Sequence, residues 1–220
     1  QELFQEQLLT GLPVLILSIV VHEVAHGWAA RSQGDPTAAM LGRLTLNPLV
    51  HIDPVGSILV PAMMMLMPGG VIFGWAKPVP VNPRNYRNYR RGDIIVSLAG
   101  VASNFLLVIL FTLVLAATYR LSLAFPGPIS VWVTVARMAD TGIFLNLVLI
   151  LFNLVPIPPL DGSHVFYHLL PPGLGARYRA FGQYGMILVF GFLFLGGFRL
   201  IQGPLMFLYN TATSFAALLG

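Results

Sequence analysis

The sequence predicts an all-α polytopic membrane protein, with about four to six transmembrane helices and a re-entrant or extended segment between the first two spans. Of its 220 residues, 56% are hydrophobic and only 9% are charged, whereas soluble domains carry about 25% charged residues. Several apolar runs approach the roughly 20 residues that a helix needs to cross the hydrocarbon core. No charged linker or low-complexity tract divides the chain, so we expect one domain over residues 1–220.

The predicted spans follow one another along the chain. They cover residues 8–30, 94–118, 131–155 and 184–200, with 204–219 as either a fifth span or a helix lying along the others. Residues 1–7 carry two glutamates and no basic region, so we expect no cleavable signal peptide. Cysteine is absent, which leaves histidine and carboxylate side chains as the ligands for any metal.

The segment 54–81 does not fit a full span. Its apolar part, 54–67, is only about 14 residues long, and Pro68-Gly69-Gly70 then ends any helix. Residues 71–81 contain Pro78 and Pro80 and are therefore predicted to be extended. We expect this segment to enter the membrane and return on the same side.

Basic residues predict the orientation of the chain. With a re-entrant segment, nine arginine and lysine residues lie in segments 31–93 and 156–183, and three lie on the other side of the membrane. Basic residues concentrate in cytoplasmic loops, so the N-terminus is predicted to be outside an inner (plasma) membrane. The arginines between residues 84 and 91 are interpreted as anchors to anionic lipid of the bilayer, and no nucleic-acid binding is expected.

The first span contains the sequence His22-Glu23-Val24-Ala25-His26. Residues i and i+4 of a helix share a face, so both imidazoles can reach one zinc ion while Glu23 lies beside it as general base. Ionisable side chains are costly inside a membrane and are functional candidates by default. The alternative is that these groups only hydrogen-bond to neighbouring helices.

A catalytic zinc site needs a third protein ligand and an open position. Asp161 is the leading candidate because it follows the third span and a proline-rich stretch whose backbone can unwind beside a wet cavity. Its alternative role is to cap a helix over 163–170. The other ionisable groups near apolar segments are His51, Asp53, Asp140, His164 and His168. We expect His51 to hydrogen-bond locally and His164 to support the site or the fold.

Three motifs together resemble the site-2 protease family of intramembrane metalloproteases. They are the HExxH of the first span, the G-x-x-x-N segment ending at Asn104, and the N-x-x-P-x-P-x-L-D-G stretch that begins at Asn153. Within 220 residues the chain resembles the compact members, without PDZ or CBS domains.

The resemblance implies a zinc metalloendopeptidase that cleaves transmembrane segments of other membrane proteins, in regulated intramembrane proteolysis. It implies one catalytic Zn²⁺ held by His22, His26 and Asp161, with Glu23 as the base and the site towards the cytoplasmic side. The rival functions are a membrane zinc-binding or transport protein, a membrane-anchored metalloprotease of soluble type, and an inactive scaffold. The sequence gives no prediction of the oligomeric state or of the physiological substrate.

The oxyanion formed during peptide hydrolysis needs a donor besides the metal. Asn153 and Asn104 are the candidates for this role or for holding substrate backbone, although Asn104 could equally hydrogen-bond between helices. The extended stretch 71–81 could pair with an unwound substrate strand, with Phe73 and Trp75 involved, or could simply pack beneath the site.

Overall fold

The computed structural model describes residues 2–59, 63, 76–125 and 127–220. Within these ranges the chain is mainly helical and contains no β-strand, so the predicted all-α class is confirmed. The α-helices are α1 (Glu2–Gln33), α2 (Thr37–Met40), α3 (Tyr89–Ala124), α4 (Ile129–Asn153), α5 (Asp161–Leu169), α6 (Pro172–Ala180), α7 (Gly185–Phe194) and α8 (Phe198–Leu219). Short 3₁₀ turns lie at Pro48–His51, Pro83–Asn85 and Phe181–Tyr184, and a π-helical turn lies at Pro54–Leu59.

Three of these helices are long and apolar enough to cross a membrane. They are the Thr10–Gln33 part of α1, the whole of α3 and the whole of α4. A fourth span results if Pro172–Phe194 and α8, which are bent by 70° at a short break, are taken as one. The chain is therefore an integral membrane protein with several spans, as the sequence predicts.

The continuous helix expected over 184–200 is interrupted, because α7 ends and α8 begins on either side of residues 195–197. Gly196 has a φ of 82°, in the left-handed region that favours glycine. The N–H of Gly197 donates to the carbonyl of Phe192 at 2.7 Å, as in a Schellman helix end. Two adjacent glycines therefore end the helix inside an apolar run.

Most of the predicted re-entrant segment 54–81 lies outside the described residues. Before the gap the chain forms the π-helical turn, and after it residues 76–82 form no helix, as their prolines predict. Phe73 and Trp75 fall within the gap, so their proposed contacts with substrate stay predictions.

The three spanning helices pack against one another, and α8 packs against α3 and α4. Buried apolar side chains between them include Val108, Leu115, Ile143 and Leu205. On the outer face of α3, in contrast, Leu106, Leu110 and Leu113 are exposed. The buried set also contains the polar residues Ser18, His22, Asn104, Thr112 and Asn146. Apolar groups outside and satisfied polar groups inside are the distribution expected in hydrocarbon.

The loops beyond the end of α1 are held together by Asp35, which is fully buried. Its carboxylate accepts the N–H of Asn82 at 2.6 Å and the side-chain amide of Asn85 at 2.8 Å. It also accepts the N–H of Thr37 at 3.2 Å. Burial alone would raise the pKa of Asp35, but these hydrogen bonds hold the pKa below its usual range.

Candidate active site

His22 and His26 stand one turn apart near the end of α1, and their Nε2 atoms are 3.0 Å apart. Asp161, the first residue of α5, brings its Oδ2 atom to 3.2 Å from Nε2 of His22 and 3.4 Å from Nε2 of His26. These side chains form the only group of three possible metal ligands found in the described ranges. The helix begins at Asp161 rather than after it, so the carboxylate faces the histidines instead of capping a helix over 163–170.

Hydrogen bonds on the far side of each imidazole fix which nitrogen faces Asp161. Nδ1 of His26 lies 2.7 Å from the carbonyl oxygen of Val96, which can only accept. Nδ1 of His22 lies 2.5 Å from Oδ1 of Asn104. Both Nδ1 atoms therefore carry a proton, and in the neutral form of each ring the Nε2 lone pair is available to a metal, as in metal-ligating histidines.

A cation fits this arrangement of atoms. The buried Oδ2 of Asp161 has no hydrogen-bond partner, and it faces two nitrogen lone pairs. Three converging acceptors repel one another unless a positive ion lies between them. Their separations of 3.0, 3.2 and 3.4 Å are close to the edge of about 3.4 Å that tetrahedral zinc imposes at ligand distances near 2.1 Å. The residues present therefore fit zinc.

Gly100 of α3 lines the space beside the two imidazoles. A Cβ atom at this position would lie 2.5 Å from Nε2 of His22 and 2.6 Å from Nε2 of His26. No side chain can be accommodated there without displacing the rings. Gly100 and Asn104 are one turn apart on the same face of α3. The G-x-x-x-N motif therefore meets the His22 ring at two places, with Gly100 beside Nε2 and Asn104 at Nδ1.

Glu23 is anchored by the extended chain that follows the gap. Its Oε2 atom accepts the N–H of Val79 at 2.8 Å. Val79 stands between Pro78 and Pro80, which have no N–H, so it carries the only backbone donor of these three residues. One carboxylate oxygen is thus held in place, and Oε1 is left for proton transfer.

The chain just before Val79 is fixed to the loop that precedes the gap. The N–H of Lys77 donates to the carbonyl of His51 at 2.8 Å. A guanidinium nitrogen of Arg43 donates to the carbonyl of Lys77 at 3.0 Å. The donor to Glu23 is therefore part of a braced segment.

The proline-rich stretch positions Asp161 as the sequence predicts it could. α4 ends at Asn153, and the chain forms turns and bends until α5 begins. Gly162 packs so tightly on the carbonyl of Leu154 that a Cβ atom there would collide with it. This contact folds α5 back on the end of α4 and carries Asp161 to α1.

The two asparagines predicted to contact substrate have different positions. Asn104 is fully buried, with Oδ1 against His22 and Nδ2 donating to Oδ1 of Asn146 at 2.7 Å. This favours the alternative for Asn104, a hydrogen bond between helices, and its contact with substrate stays a prediction. Asn153 is half-buried, and its Nδ2 donates to the carbonyl of Leu149 at 3.0 Å.

The remaining candidate ligands lie outside the cluster. Nδ1 of His164 and Nε2 of His168 contact the carboxylate of Asp93 at 3.3 and 2.7 Å. His51 contacts the carbonyl of Thr45 at 2.9 Å, the carboxylate of Asp53 accepts the N–H of Gly56, and the carboxylate of Asp140 accepts the hydroxyl of Tyr209. All five therefore have local partners.

Comparison with known proteins identifies the family. The sequence profile of peptidase family M50 matches residues 10–196. The chain belongs to peptidase family M50. This M50 chain is 42% identical over 189 residues to "Putative zinc metalloprotease YwhC" of Bacillus subtilis, a match that covers 82% of the chain and 78% of the relative. The resemblance to site-2 proteases is thereby confirmed.

More distant relatives carry the same description under the name Rip2. The protein from Mycolicibacterium smegmatis is 28% identical, and the one from Mycobacterium tuberculosis is 36% identical. The matches cover 79% and 72% of this M50 chain but only 62% and 55% of those relatives. No solved structure matches the chain. The family, the names of the relatives and the apolar helices together make the chain a membrane metalloprotease of site-2 protease type.

Sequence reasoning missed four groups that hold the site in place. The carbonyl of Val96 and the N–H of Val79 are backbone groups, which leave no mark on the sequence. Asn146 and Ser18, in contrast, could have been found, because a polar residue inside an apolar span is a signal of a partner or a site.

Proposed function

We propose that this M50 chain is an intramembrane zinc endopeptidase that hydrolyses peptide bonds in the transmembrane segments of membrane proteins. Such cleavage, regulated intramembrane proteolysis, releases a signalling fragment or clears a remnant peptide. His22, His26 and Asp161 would hold a single Zn²⁺ ion, and Glu23 would serve as general base. The observation that carries the proposal is the convergence of two histidine nitrogens of a spanning helix with a carboxylate oxygen of Asp161. Glu23, on the same helix as the histidines, is anchored by Val79.

The roles of the side chains follow from their contacts. A bound Zn²⁺ would polarise the scissile carbonyl and lower the pKa of water at the site. Glu23, with Oε2 held by Val79, takes a proton from the attacking water through its free oxygen and delivers it to the leaving amine. Asn153 is the candidate donor to the oxyanion. One of its two N–H groups donates to the carbonyl of Leu149, and the second is the donor for this role.

The substrate class follows from the position of the site. His26 is seven residues, or about 10 Å of helix, before the end of α1, so the scissile bond must come to membrane depth. A peptide bond in a helix has its carbonyl hydrogen-bonded internally, and the substrate must therefore unwind locally. The extended residues 76–82 beside Glu23 support a strand-like pairing with the unwound segment.

The sidedness of the site is part of the proposal. The C-terminal turns of α1, the N-terminal turns of α3 and the chain after α4 all contribute to the site. These ends adjoin the segments 31–93 and 156–183 that carry nine of the twelve basic residues. Under the positive-inside rule this end is cytoplasmic and the N-terminus is outside.

The proposal is tested by reconstituting the protein in liposomes with a labelled single-span substrate. Glu23→Gln should retain zinc and cleave about 10²–10⁴-fold more slowly, since a positioned base accelerates the reaction by that factor. Asp161→Ala should lose both zinc and cleavage. Asp53→Asn is the matched control, because it removes a carboxylate outside the metal cluster while its amide oxygen can still accept the N–H groups of Val55 and Gly56.

Two outcomes would contradict the proposal. Cleavage by Glu23→Gln at the wild-type rate would exclude Glu23 as the base. Zinc accumulation inside sealed liposomes, with no cleavage of any single-span substrate, would favour the alternative of a zinc-binding or transport protein.

A further inference from the structure

We propose that Asn146 and Ser18 are positioning residues for the zinc ligand His22, and that they act on it through Asn104. The inference rests on the proposed function, because it concerns how the metal ligand is oriented. It adds two residues on two helices, neither of which contacts the metal-binding atoms, to the machinery of the site.

The hydrogen bonds form a continuous chain through three spans. Nδ2 of Asn146 on α4 donates to Oγ of Ser18 on α1 at 2.9 Å. Oδ1 of Asn146 accepts from Nδ2 of Asn104 on α3 at 2.7 Å. Oδ1 of Asn104 accepts from Nδ1 of His22 at 2.5 Å. Ser18 also lies one turn before His22 on the same face of α1.

Backbone carbonyls determine the donor and acceptor of each hydrogen bond between these side chains. Nδ2 of Asn146 also donates to the carbonyl of Gly142 at 2.8 Å, and the hydroxyl of Ser18 donates to the carbonyl of Val14 at 2.8 Å. A carbonyl oxygen can only accept. If the amide of Asn146 were reversed, its oxygen would face the carbonyl of Gly142. The carbonyl of Gly142 and the oxygen of Ser18, whose own proton is bonded to Val14, therefore fix the amide orientation together.

The fixed direction reaches the imidazole. Since Oδ1 of Asn146 must accept, the amide nitrogen of Asn104 must face it, and the oxygen of Asn104 must face His22. His22 then has to carry its proton on Nδ1 and its lone pair on Nε2, towards Asp161 and His26. In this way a carbonyl of α4 selects the tautomer of a ligand on α1.

Because these side chains are buried, solvent cannot substitute for any of the hydrogen bonds that link them. Ser18, Asn104 and Asn146 each have 0% of their surface exposed, so no water can replace a lost partner. All the amide and hydroxyl donors of these three side chains are paired, including the second N–H of Asn104, which reaches the carbonyl of Ser18 at 3.4 Å. Removing Asn146 leaves the amide of Asn104 held only by the long bond to the carbonyl of Ser18 at 3.4 Å, and an amide that rotates presents an N–H to Nδ1 of His22. The competing tautomer then becomes available.

The test measures the affinity of the purified protein for zinc by competition with a chromogenic chelator. Loss of a partner behind a ligating histidine typically weakens metal binding 10–100-fold. Asn104→Leu should approach the upper figure, and Asn146→Leu should weaken binding about tenfold. Ser18→Ala, a milder change, should weaken it about threefold. Thr112→Val is the matched control, because the buried hydroxyl of Thr112 bonds only to its own helix, at the carbonyl of Val108; its zinc affinity should equal that of the wild type.

Two further readouts separate positioning from packing. In a double-mutant cycle the Asn104→Leu and Asn146→Leu losses should not add, because Asn146 acts through Asn104. In ¹⁵N-histidine spectra of the metal-free protein, His22 should be the Nδ1–H tautomer in the wild type and in Thr112→Val. In Asn146→Leu, and to a smaller extent in Ser18→Ala, the Nε2–H tautomer should appear.

The outcomes distinguish this inference from the proposed function. Wild-type protein that fails to bind zinc, or His26→Ala that binds it normally, would defeat the proposed function. If the wild type binds zinc and His26→Ala does not, the proposed function stands. Wild-type zinc affinity and an unchanged His22 tautomer in Asn146→Leu would then defeat the positioning role alone. Additive losses in the cycle would also overturn it. If Asn146→Leu fails to fold, Ser18→Ala decides, and an unchanged tautomer with unchanged affinity there contradicts the inference.

Discussion

The two halves of the three-helix core use polar residues in opposite ways. In the half that contains the site, which we call the site half, the side chains of Ser18, Asn104 and Asn146 bond across helices. In the other half, the apolar half, the hydroxyls of Thr112 and Thr118 return to carbonyls of their own helix. The packing there comes from apolar groups.

The comparison shows that burial of a polar group does not by itself indicate function. A back-bonded threonine satisfies its hydroxyl within its own helix and makes no polar link to a neighbouring one. A polar side chain that bonds across helices transmits position and proton direction from one span to another. The location of the partner is therefore the informative observation, and it separates Asn146 from Thr112.

The largest expected loss of cleavage and of zinc binding follows a substitution at Gly100, in the site half. Gly100→Ala puts a methyl group at 2.5–2.6 Å from both histidine Nε2 atoms, so the rings must move. A displacement of about 1 Å at a catalytic group can cost about 10²-fold. We expect a loss of cleavage of at least about 10²-fold together with loss of zinc, measured by metal analysis and by substrate cleavage.

Gly203→Ala is the control for this change. Gly203 also lies within a helix, but a Cβ atom there meets no atom within 4 Å. Zinc content and cleavage should both be retained. Wild-type zinc content in Gly100→Ala would show that the site half tolerates the extra methyl group and would remove the contrast between the halves.

The second effect concerns the anchor of Glu23. Val79→Pro removes the N–H that bonds Oε2 of Glu23 and leaves the metal ligands unchanged. We expect at least about a tenfold loss of cleavage, as part of the 10²–10⁴ that a positioned base contributes, with normal zinc affinity. Val79→Ala, which keeps the N–H, should lose much less. Equal losses in the two variants would assign the effect to the side chain of Val79.

A third effect, on stability, is expected at Asp35 beyond the end of α1. Asp35→Ala leaves the partly buried N–H groups of Asn82 and Thr37 without their acceptor, at a cost of up to about 1–3 kcal/mol. Because the folded-state pKa is lowered, the carboxylate stabilises the fold above its unfolded pKa of about 3.9. This stabilisation is lost as the pH falls through the folded pKa.

Thermal unfolding of the metal-free wild type and Asp35→Ala in detergent provides the measurement. The difference between the two transition temperatures should be largest at pH 7 and should decrease below about pH 4. A gap that does not change with pH would mean that the charge of Asp35 contributes nothing.

The smallest effect is expected in the apolar half. Thr112→Val exchanges a back-bonded hydroxyl for a methyl group of similar shape, and replacing such a group costs little. We expect a change of less than about 1 kcal/mol in the free energy of unfolding and no change in cleavage. A strong loss of cleavage would show that polar groups of both halves communicate with the site.

The sequence predicts those parts of the site that depend on short-range geometry. His22 and His26 follow from helical spacing alone, and the unwound chain before Asp161 follows from its prolines. The role of Asn146 could not be predicted in this way, because its partner is 42 residues away and depends on how α3 and α4 pack. The break at residues 195–197 had a local signal, Gly196-Gly197, but the apolar run around it dominated the prediction.

The distance along the chain between the two histidines and Asp161 has a consequence for biosynthesis. The histidines lie on the first spanning helix, and the third ligand lies more than a hundred residues later, after α3 and α4. At about 5–20 residues per second of synthesis, the ribosome needs several seconds or more to reach it. During that time the nascent chain already displays His22 and His26 but has no complete metal site. The order of translation thus delays completion of the candidate metal site until α3 and α4 have been synthesised.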